Sequence, residues 1–349
     1  MSLLDFNSAK PLDFIGLGRL CIDLNSNEIN QPMERTSTFT RYLGGSPANI
    51  TVALARLGLK TGFIGRVAAD PFGRFIADYL RRNAIDAGGV VVDKSGSVTG
   101  LAFTEIKSPT DCSILMYRDN VADLKLECGD IDREYIQSSK CLLISGTALA
   151  KSPSREAALL AIEYARQGDV RLIFDLDYRP YSWGSAAETA FYYYLAAQKC
   201  DVILGTLEEY QFMEGLLRLA EWRDARIAEH FLQANAQIVV IKHGKEGSAA
   251  FLKNGATFQA PSFRVKVLKT FGAGDSYAGA LIYGLLQDWA IDQCLTYASA
   301  AAAIVVSSHS CSEAMPTEAQ IADFIAHYAA APGGAFSMPS GNGRESPTD

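Results

Sequence analysis

Residues 270–277 read Thr-Phe-Gly-Ala-Gly-Asp-Ser-Tyr, and the apolar pattern of a helix follows them directly. Gly272 and Gly274 flank the small Ala273, so a ligand can approach the backbone closely at this turn. Backbone N–H groups at the start of a helix form a site for an anion. A carboxylate beside such a site, here Asp275, can accept a proton from a hydroxyl that attacks a phosphate. The stretch therefore predicts a phosphoryl-transfer site.

The position of Asp275 also predicts how strong a base it is. A helix N-terminus favours the charged form of a carboxylate, so we expect the pKa of Asp275 to be lowered. Phosphoryl transfer through a loose transition state needs little from the base until late, so positioning matters more than basicity. The stretch matches neither the P-loop pattern nor G-x-G-x-x-G, which disfavours those two nucleotide sites.

The rest of the chain alternates short apolar runs with helical patterns. Strands are predicted at 14–18, 62–67, 140–146, 171–176, 201–204 and 237–242, and helices at 70–83, 154–167 and 220–234. Such alternation is typical of an α/β protein in which helices cover both faces of a parallel sheet.

Two stretches, 20–43 and 98–117, depart from this alternation. The polar 20–43 and the strand-like 98–117 predict either a small antiparallel flap over the sheet edge or ordinary surface loops with hairpins. Apolar and basic residues alternate at 263–267, which predicts a strand leading into the glycine turn. The tail at 332–349 holds Pro, Gly, Ser and Asn with little to bury, and we expect it to be disordered.

The composition limits the class of protein. The 349 residues are 48% hydrophobic and 20% charged, a globular composition with enough apolar surface for a large core. The net charge of −7 argues against nucleic acid or an anionic membrane as a partner. Seven scattered cysteines without a C-x-x-C pair are typical of reduced thiols in a cytoplasmic protein. Four histidines without metal spacing argue against structural zinc.

A glycine-rich turn and a separate carboxylate in the N-terminal part can bind hydroxyls. The turn at 44–49 reads Gly-Gly-Ser-Pro-Ala-Asn, in which Gly45 permits close approach and Ser46 is expected to cap a helix. Asn49 faces back towards this opening, where its amide can donate to and accept from a hydroxyl. Asp23 follows the first predicted strand and can bind sugar hydroxyls. A plain strand-to-helix turn and a solvated loop carboxylate explain the same patterns.

Two arginines near strand ends are candidates for holding an anionic substrate. Asp177 and Arg179 follow a buried strand, and the planar guanidinium of Arg179 suits a carboxylate or a phosphate. Pairing of Arg179 with Asp175 or Asp177 is the alternative. Tyr117-Arg118 ends the possible flap, where Arg118 can equally be a surface residue on an edge strand.

A nucleotide is expected near two other features of the C-terminal half. The strand that ends at Lys242 is followed by Gly244 and Gly247, which can lie close to phosphates or simply form a tight hairpin. The alanine-rich helix predicted at 294–306 includes Ala302, and its small side chains let a flat adenine lie against it. Tight helix packing is the competing explanation of the alanines.

Taken together, these motifs resemble the PfkB family of carbohydrate kinases, which has the ribokinase-like fold. The turn at 44–49 is similar to the family's N-terminal signature, and 270–275 is similar to its C-terminal signature. The resemblance covers 12–330 in the right order. It implies one kinase domain with three layers, α/β/α, a mostly parallel central sheet and a small β-lid inserted at about 20–43 and 98–117.

The resemblance also implies a reaction and the residues that perform it. Family members transfer a phosphoryl group from ATP, with Mg²⁺, to a primary alcohol of a sugar-like acceptor. The catalytic base falls on Asp275, and the anion hole, which also contacts the nucleotide, falls on the backbone of 272–274. Hydroxyl-binding contacts fall on Asp23, Gly45 and Asn49.

A narrower resemblance concerns the acceptor. Tyr117-Arg118 and the segment from Asp177 to Arg179 resemble kinases of keto-deoxy sugar acids. This implies phosphorylation of 5-dehydro-2-deoxygluconate to its 6-phosphate, a step of myo-inositol breakdown, or else of 2-keto-3-deoxygluconate. A chain of net charge −7 must supply local cations for an acid, and Arg118 and Arg179 are the candidates. The alternatives are a kinase for a neutral sugar such as fructose or ribose, and a catalytically inactive sensor of sugar or nucleotide.

Two positions depart from the family pattern. Lys269 stands where members often have an Asp that helps to bind a monovalent cation, so we expect activity without added K⁺. Glu208 matches the acidic residue that organises Mg²⁺ through water, although the accompanying Asn is missing and Glu209 is the alternative. An exposed lid often pairs with another lid in this family, which implies a homodimer or a higher homo-oligomer.

Overall fold

The computed structural model describes residues 3–108 and 111–330, so the predicted tail at 332–349 lies outside the described residues. The strands are β1 Leu12–Leu17, β2 Cys21–Ser26, β3 Phe39–Gly44, β4 Thr61–Ala68, β5 Asp86–Asp93, β6 Gly100–Ser108, β7 Asp111–Tyr117, β8 Ser139–Ser145, β9 Arg171–Asp175, β10 Val202–Thr206, β11 Ile238–Lys242, β12 Ser248–Leu252 and β13 Thr257–Ala260. The α-helices are α1 Ser46–Arg56, α2 Pro71–Arg82, α3 Arg133–Gln137, α4 Ser154–Gln167, α5 Ala186–Ala197, α6 Leu207–Gln211, α7 Glu214–Leu217, α8 Asp224–Gln233, α9 Ala273–Leu286, α10 Ile291–Val306 and α11 Glu318–Ala330.

Nine strands form the central sheet in the order β13-β12-β11-β10-β9-β8-β1-β4-β5. The seven strands from β11 to β5 in that order run parallel, and β12 and β13 extend the sheet with antiparallel pairings. The six predicted apolar runs are β1, β4, β8, β9, β10 and β11, so that prediction is confirmed. Because parallel strands end at one edge of a sheet, the segments that follow β1, β9, β10 and β11 lie near one another.

Helices cover both faces of this sheet, which confirms the three-layer arrangement. Phe14 of β1 packs into the apolar layer under α1, α9, α10 and α11, whereas the next residue, Ile15, packs into the layer under α3 to α8. This alternation is the period of two that a strand buried on both faces must show. The predicted helices are α2, α4 and α8, although α8 begins at Asp224 rather than at 220. Within the described residues, no helix is both long and apolar enough to cross a bilayer.

The flap predicted at 20–43 and 98–117 is a four-stranded sheet with the order β3-β2-β6-β7, here called the small sheet. The pairings β2–β3 and β6–β7 are antiparallel as expected, but β2 and β6 run parallel, so the sheet is mixed. Between β3 and β6 the chain passes through α1, β4, α2 and β5. It then re-enters the small sheet as β6, which runs in the same direction as β2. Strand β7 forms an outer edge with Ile114, Leu115 and Tyr117 exposed. Pairing of this edge with a second copy, like a cytoplasmic location, stays a prediction.

The prediction of a strand at 263–267 is wrong. This segment lies outside both sheets and crosses the ends of α10 and α11. The ring of Phe263 packs edge-on against Tyr328 with 4.7 Å between centroids, and the N–H of Leu268 donates to the carbonyl of Val306 at 2.8 Å. The alternation of apolar and basic residues therefore reflects one side against helices and one side towards solvent, rather than a strand.

Candidate active site

Asp275 stands in the first turn of α9, and two side chains of α1 hold its carboxylate. Ser46 Oγ donates to Asp275 Oδ1 at 2.8 Å, and Asn49 Nδ2 donates to Oδ2 at 2.7 Å. Gly272 precedes the helix with φ +79°, a left-handed conformation that favours glycine. The turns at 44–49 and 270–277, more than 220 residues apart in the chain, therefore form one site, with Asp275 between them.

Ser46 is not the cap of α1, contrary to expectation. The N-cap is Gly45, at φ +106°, and the helix begins at Ser46. A Cβ at Gly45 would lie 2.3 Å from the carbonyl oxygen of Arg19, so this position requires glycine. The Ser46 hydroxyl instead lies between two carboxylates, 2.8 Å from Asp275 Oδ1 and 3.2 Å from Asp175 Oδ2. A hydroxyl has one hydrogen, so it can donate to only one of them at a time.

Burial reverses the expected pKa shift of Asp275. Desolvation and the nearby Asp177 carboxylate raise the pKa of Asp275, and the hydrogen bonds from Asn49 and Ser46 only partly oppose them. Because burial disfavours the charged form more than these hydrogen bonds favour it, the pKa of Asp275 lies above that of a solvent-exposed aspartate. Burial likewise raises the pKa of Asp175, and the Lys242 ammonium, 3.8 Å from its Oδ1, acts in the opposite direction.

A cavity of about 760 Å³ opens beside the Asp275 turn. Its wall includes five of the residues predicted to contact a nucleotide, namely Lys242, Gly244, Gly247, Gly274 and Ala302. Ala273, in the first turn of α9, also lines this cavity. The volume lies in the range typical of sites for small molecules. The structure therefore brings five of the six residues predicted for the nucleotide together beside the first turn of α9, whereas Gly272 does not line the cavity.

The two predicted arginines are both paired with carboxylates of the chain. Arg118 is half-buried, with a side chain that is only 10% exposed, and its Nη1 and Nη2 donate to Asp123 at 3.1 and 2.6 Å. Arg179 Nη2 lies 2.7 Å from Asp177 Oδ1, which is one of the alternatives left open by the sequence. Asp177 itself has φ +37° and is buried. The charges of both guanidinium groups are thus already balanced within the protein.

The other predicted substrate residues lie at different depths. Asp23 of β2 is half-buried and lies against Gly44, and burial raises its pKa to about 7 against the attraction of Arg19. Asn49 Oδ1 is buried and has no hydrogen-bond partner in the described part of the chain, so its capacity to accept a hydrogen bond is unused. Tyr117 is 58% exposed, and its ring lies 5.7 Å from that of Phe103 on the small sheet. The structure thus does not place Tyr117 beside Asp275.

The side chains of the two candidate acidic residues on α6 point in different directions. Glu208 is exposed, whereas Glu209 accepts hydrogen bonds from the N–H of Thr206 at 2.8 Å and of Tyr178 at 2.9 Å. Although burial disfavours the charged form of Lys242, the carboxylates around it, including Glu209, raise the pKa of its ammonium. Glu209 therefore faces the site. In residues 3–108 and 111–330, no group of three or more His, Cys, Asp or Glu side chains is placed to hold a metal ion.

Lys269 and Asp175 complete the site. Lys269 is fully buried, and its Nζ donates to the carbonyl of Phe271 at 2.6 Å and lies 3.7 Å from Cys311 Sγ. Its ammonium thus lies against the glycine turn at 270–275. From the sequence, Asp175, the last residue of β9, is expected only as a partner for Arg179. A charged residue that ends an otherwise apolar strand was the available signal for its place in the site.

Comparisons with known proteins identify the family of this chain. Residues 14–318 match the pfkB family carbohydrate kinases. The 5-dehydro-2-deoxygluconokinase of Geobacillus kaustophilus (strain HTA426) is 65% identical over 327 residues, which cover 93% of this chain and 97% of that protein. That of Geobacillus thermodenitrificans (strain NG80-2) is 64% identical over 331 residues, 95% and 98% of the two chains. A fructokinase double mutant from Vibrio cholerae O395, solved with fructose, ADP and potassium ion, has a TM-score of 0.79 at 25% identity, covering 90% of this chain and 98% of that one. The chain belongs to the PfkB family of carbohydrate kinases.

Proposed function

We propose that this protein transfers the γ-phosphoryl group of ATP to the terminal hydroxyl of 5-dehydro-2-deoxygluconate. The observation that carries the proposal is the position of the Asp275 carboxylate, which Asn49 holds in the first turn of α9, next to a nucleotide-sized cavity and within electrostatic reach of the Arg179 guanidinium. The two Geobacillus relatives, both 5-dehydro-2-deoxygluconokinases, support the choice of acceptor. The mixture of cations and carboxylates suits a sugar that is itself an acid.

The chain's own groups supply the chemistry of the transfer. Asp275 accepts the proton of the attacking hydroxyl, and its raised pKa makes it a better acceptor than an exposed carboxylate. Asn49 fixes the Asp275 carboxylate through Nδ2 and offers its unpartnered Oδ1 to the acceptor. The backbone N–H groups of 272–274 stabilise the negative charge that develops on the phosphoryl oxygens.

Mg²⁺ is expected to accompany ATP, and the donors at the carboxyl edge of the sheet fit it. Asp175 Oδ1 is buried and without a hydrogen-bond partner among the described residues, and Glu209 faces the same region. Mg²⁺ commonly keeps several waters and uses one or two carboxylates together with phosphates. Asp175 and Glu209 would hold it through water. The ion, when bound, neutralises charge on the phosphates. The exposed Glu208 fits this role less well than Glu209.

A coupled assay of ADP formation with four acceptors tests the proposed function. We expect the highest kcat/KM with 5-dehydro-2-deoxygluconate, a lower value with 2-keto-3-deoxygluconate, and little turnover of fructose or ribose, because a neutral sugar has no carboxylate to pair with a guanidinium of the site. A higher kcat/KM with either neutral sugar would contradict the proposal. Absence of turnover with all four acceptors, while ATP still binds, would favour the inactive sensor.

We also propose that catalysis needs no K⁺, since the Lys269 ammonium supplies a fixed positive charge against the 270–275 turn. We expect the same kcat in K⁺-free Na⁺ buffer and in K⁺ buffer at equal ionic strength. Lys269→Met should lower kcat in both buffers because it removes the buried charge. Lys266→Met, at an exposed position three residues away, should leave kcat unchanged. Strong activation of the unmodified protein by K⁺ would refute this role of Lys269.

A further inference from the structure

Arg19 is a buried cation of the site that no neighbouring carboxylate neutralises at close range. It lies between β1 and β2, and only 6% of its surface is exposed. Its Nη1 donates to Tyr181 Oη at 3.2 Å, and its Nε is buried without a partner. Among the described residues, no carboxylate lies within the 4.0 Å of its guanidinium that an ion pair requires.

The other two arginines of the region differ in this respect. Arg118 is bidentate to Asp123, and Arg179 is paired with Asp177. An arginine stays protonated at any physiological pH, so Arg19 cannot reduce the cost of its burial by losing its charge. Burying a charge without a partner is unfavourable, whereas an anionic ligand would remove that cost on binding.

The position of Arg19 puts it beside the groups that bind the acceptor. Its carbonyl oxygen lies against Gly45, at the start of the helix whose Ser46 and Asn49 hold Asp275. Its charge acts on the carboxyl group of Asp23, where burial raises the pKa and Arg19 opposes that rise. Asp23, Asp123 and Asp177 lie around Arg19 at longer range, so the guanidinium stands among the polar groups of the site.

The free edge of the guanidinium has the geometry of a carboxylate receptor. Nε and Nη2 share one edge of the planar group, and their parallel N–H bonds match the two oxygens of a carboxylate. Tyr181 accepts from Nη1 only, so no described residue accepts a hydrogen bond from this edge, in which Nε is itself buried. We propose that Arg19 binds the carboxylate of the sugar acid through Nε and Nη2 and thereby selects acids over neutral sugars. This inference rests on the proposed function, because it requires an acidic acceptor.

The test compares Arg19→Gln with the unmodified protein in steady-state kinetics. We expect the KM for 5-dehydro-2-deoxygluconate to rise about 10- to 100-fold, as for a lost hydrogen-bonded pair between charged groups, while the KM for ATP stays the same. Arg19→Lys keeps the charge but not the fork, so its KM should lie between the two. The acceptor's carboxamide analogue, which has no charge, should be used equally by Arg19→Gln and the unmodified protein.

Arg155→Gln is the matched control for losing a buried arginine. Arg155 is 9% exposed and pairs with Glu188. The Arg155→Gln substitution should lower thermal stability without changing the KM for the acid or for ATP. If Arg19→Gln does not fold, two measurements on Arg19→Lys test the role of Arg19 instead. They are its KM for the acid and the rise in its melting temperature when the acid is added. An unchanged KM for the acid in the Arg19 variants would overturn the role of Arg19 alone. Preference of the unmodified protein for a neutral sugar would instead overturn the proposed function, and the Arg19 inference with it.

Discussion

Asp275→Asn is expected to lower kcat about a hundredfold or more while ATP binding stays close to normal. Asparagine has nearly the same shape as aspartate, so the first turn of α9 and the backbone N–H groups of 272–274 keep their positions. Its amide cannot accept the proton of the attacking hydroxyl. Steady-state kcat and direct calorimetric titration of ATP separate the chemical step from nucleotide binding.

The unmodified protein and Asp275→Asn are also expected to differ in their dependence on pH. Asp275 acts as a base only when ionised, so kcat/KM should fall as the pH drops through its pKa. Because burial and Asp177 raise that pKa, the fall should begin at a higher pH than for an ordinary aspartate. The residual activity of Asp275→Asn should lack this acid limb.

Asp292→Asn is the matched control. Asp292 is also an aspartate in the first turn of a helix, α10, but its side chain is exposed. The same chemical change there should leave kcat and the pH profile unaltered. Near-normal turnover of Asp275→Asn would show that another group takes the proton and would remove Asp275 from the proposed mechanism.

The central sheet was predictable because its strands are buried on both faces and therefore read as uninterrupted apolar runs. Glycine turns at 44–49 and 270–277 were visible for a similar reason, since a positive φ or a close contact restricts the residue type. Gly45 and Gly272 show both constraints in the structure. The sequence thus predicted the elements and the two turns, but their meeting at Asp275 was expected only through the family resemblance.

The remaining features depend on contacts between distant residues, which a local pattern does not contain. Ser46 was expected to cap its own helix, yet its hydroxyl turns to Asp175 and Asp275 from other parts of the chain. The helix position of Asp275 predicted a lowered pKa, and the burial that raises it arises from packing of the whole site. Arg19 carried no signal of its own, because only the structure shows which arginines already have partners.

Gly272→Ala is expected to lower kcat about a hundredfold to a thousandfold, the range observed when donors of an anion hole are lost. Gly272 has φ +79°, and an added Cβ would lie 2.9 Å from Cys311 Sγ and 3.0 Å from Cys311 Cβ. The turn must shift to relieve this contact, which displaces the N–H groups that we propose to bind the transferring phosphoryl group. Left-handed strain adds about 1–2 kcal/mol of destabilisation.

Gly255→Ala separates the loss of the anion hole from the loss of stability. Gly255 has a similar φ of +88° in the turn between β12 and β13, and an added Cβ there meets no atom within 4 Å. The melting temperature should fall in both variants, because each places alanine in the left-handed region. Only Gly272→Ala should lose kcat. Comparable kcat losses in both would mean that strain alone explains the effect, and full activity of Gly272→Ala would show that the 272–274 backbone does not stabilise the transferring group.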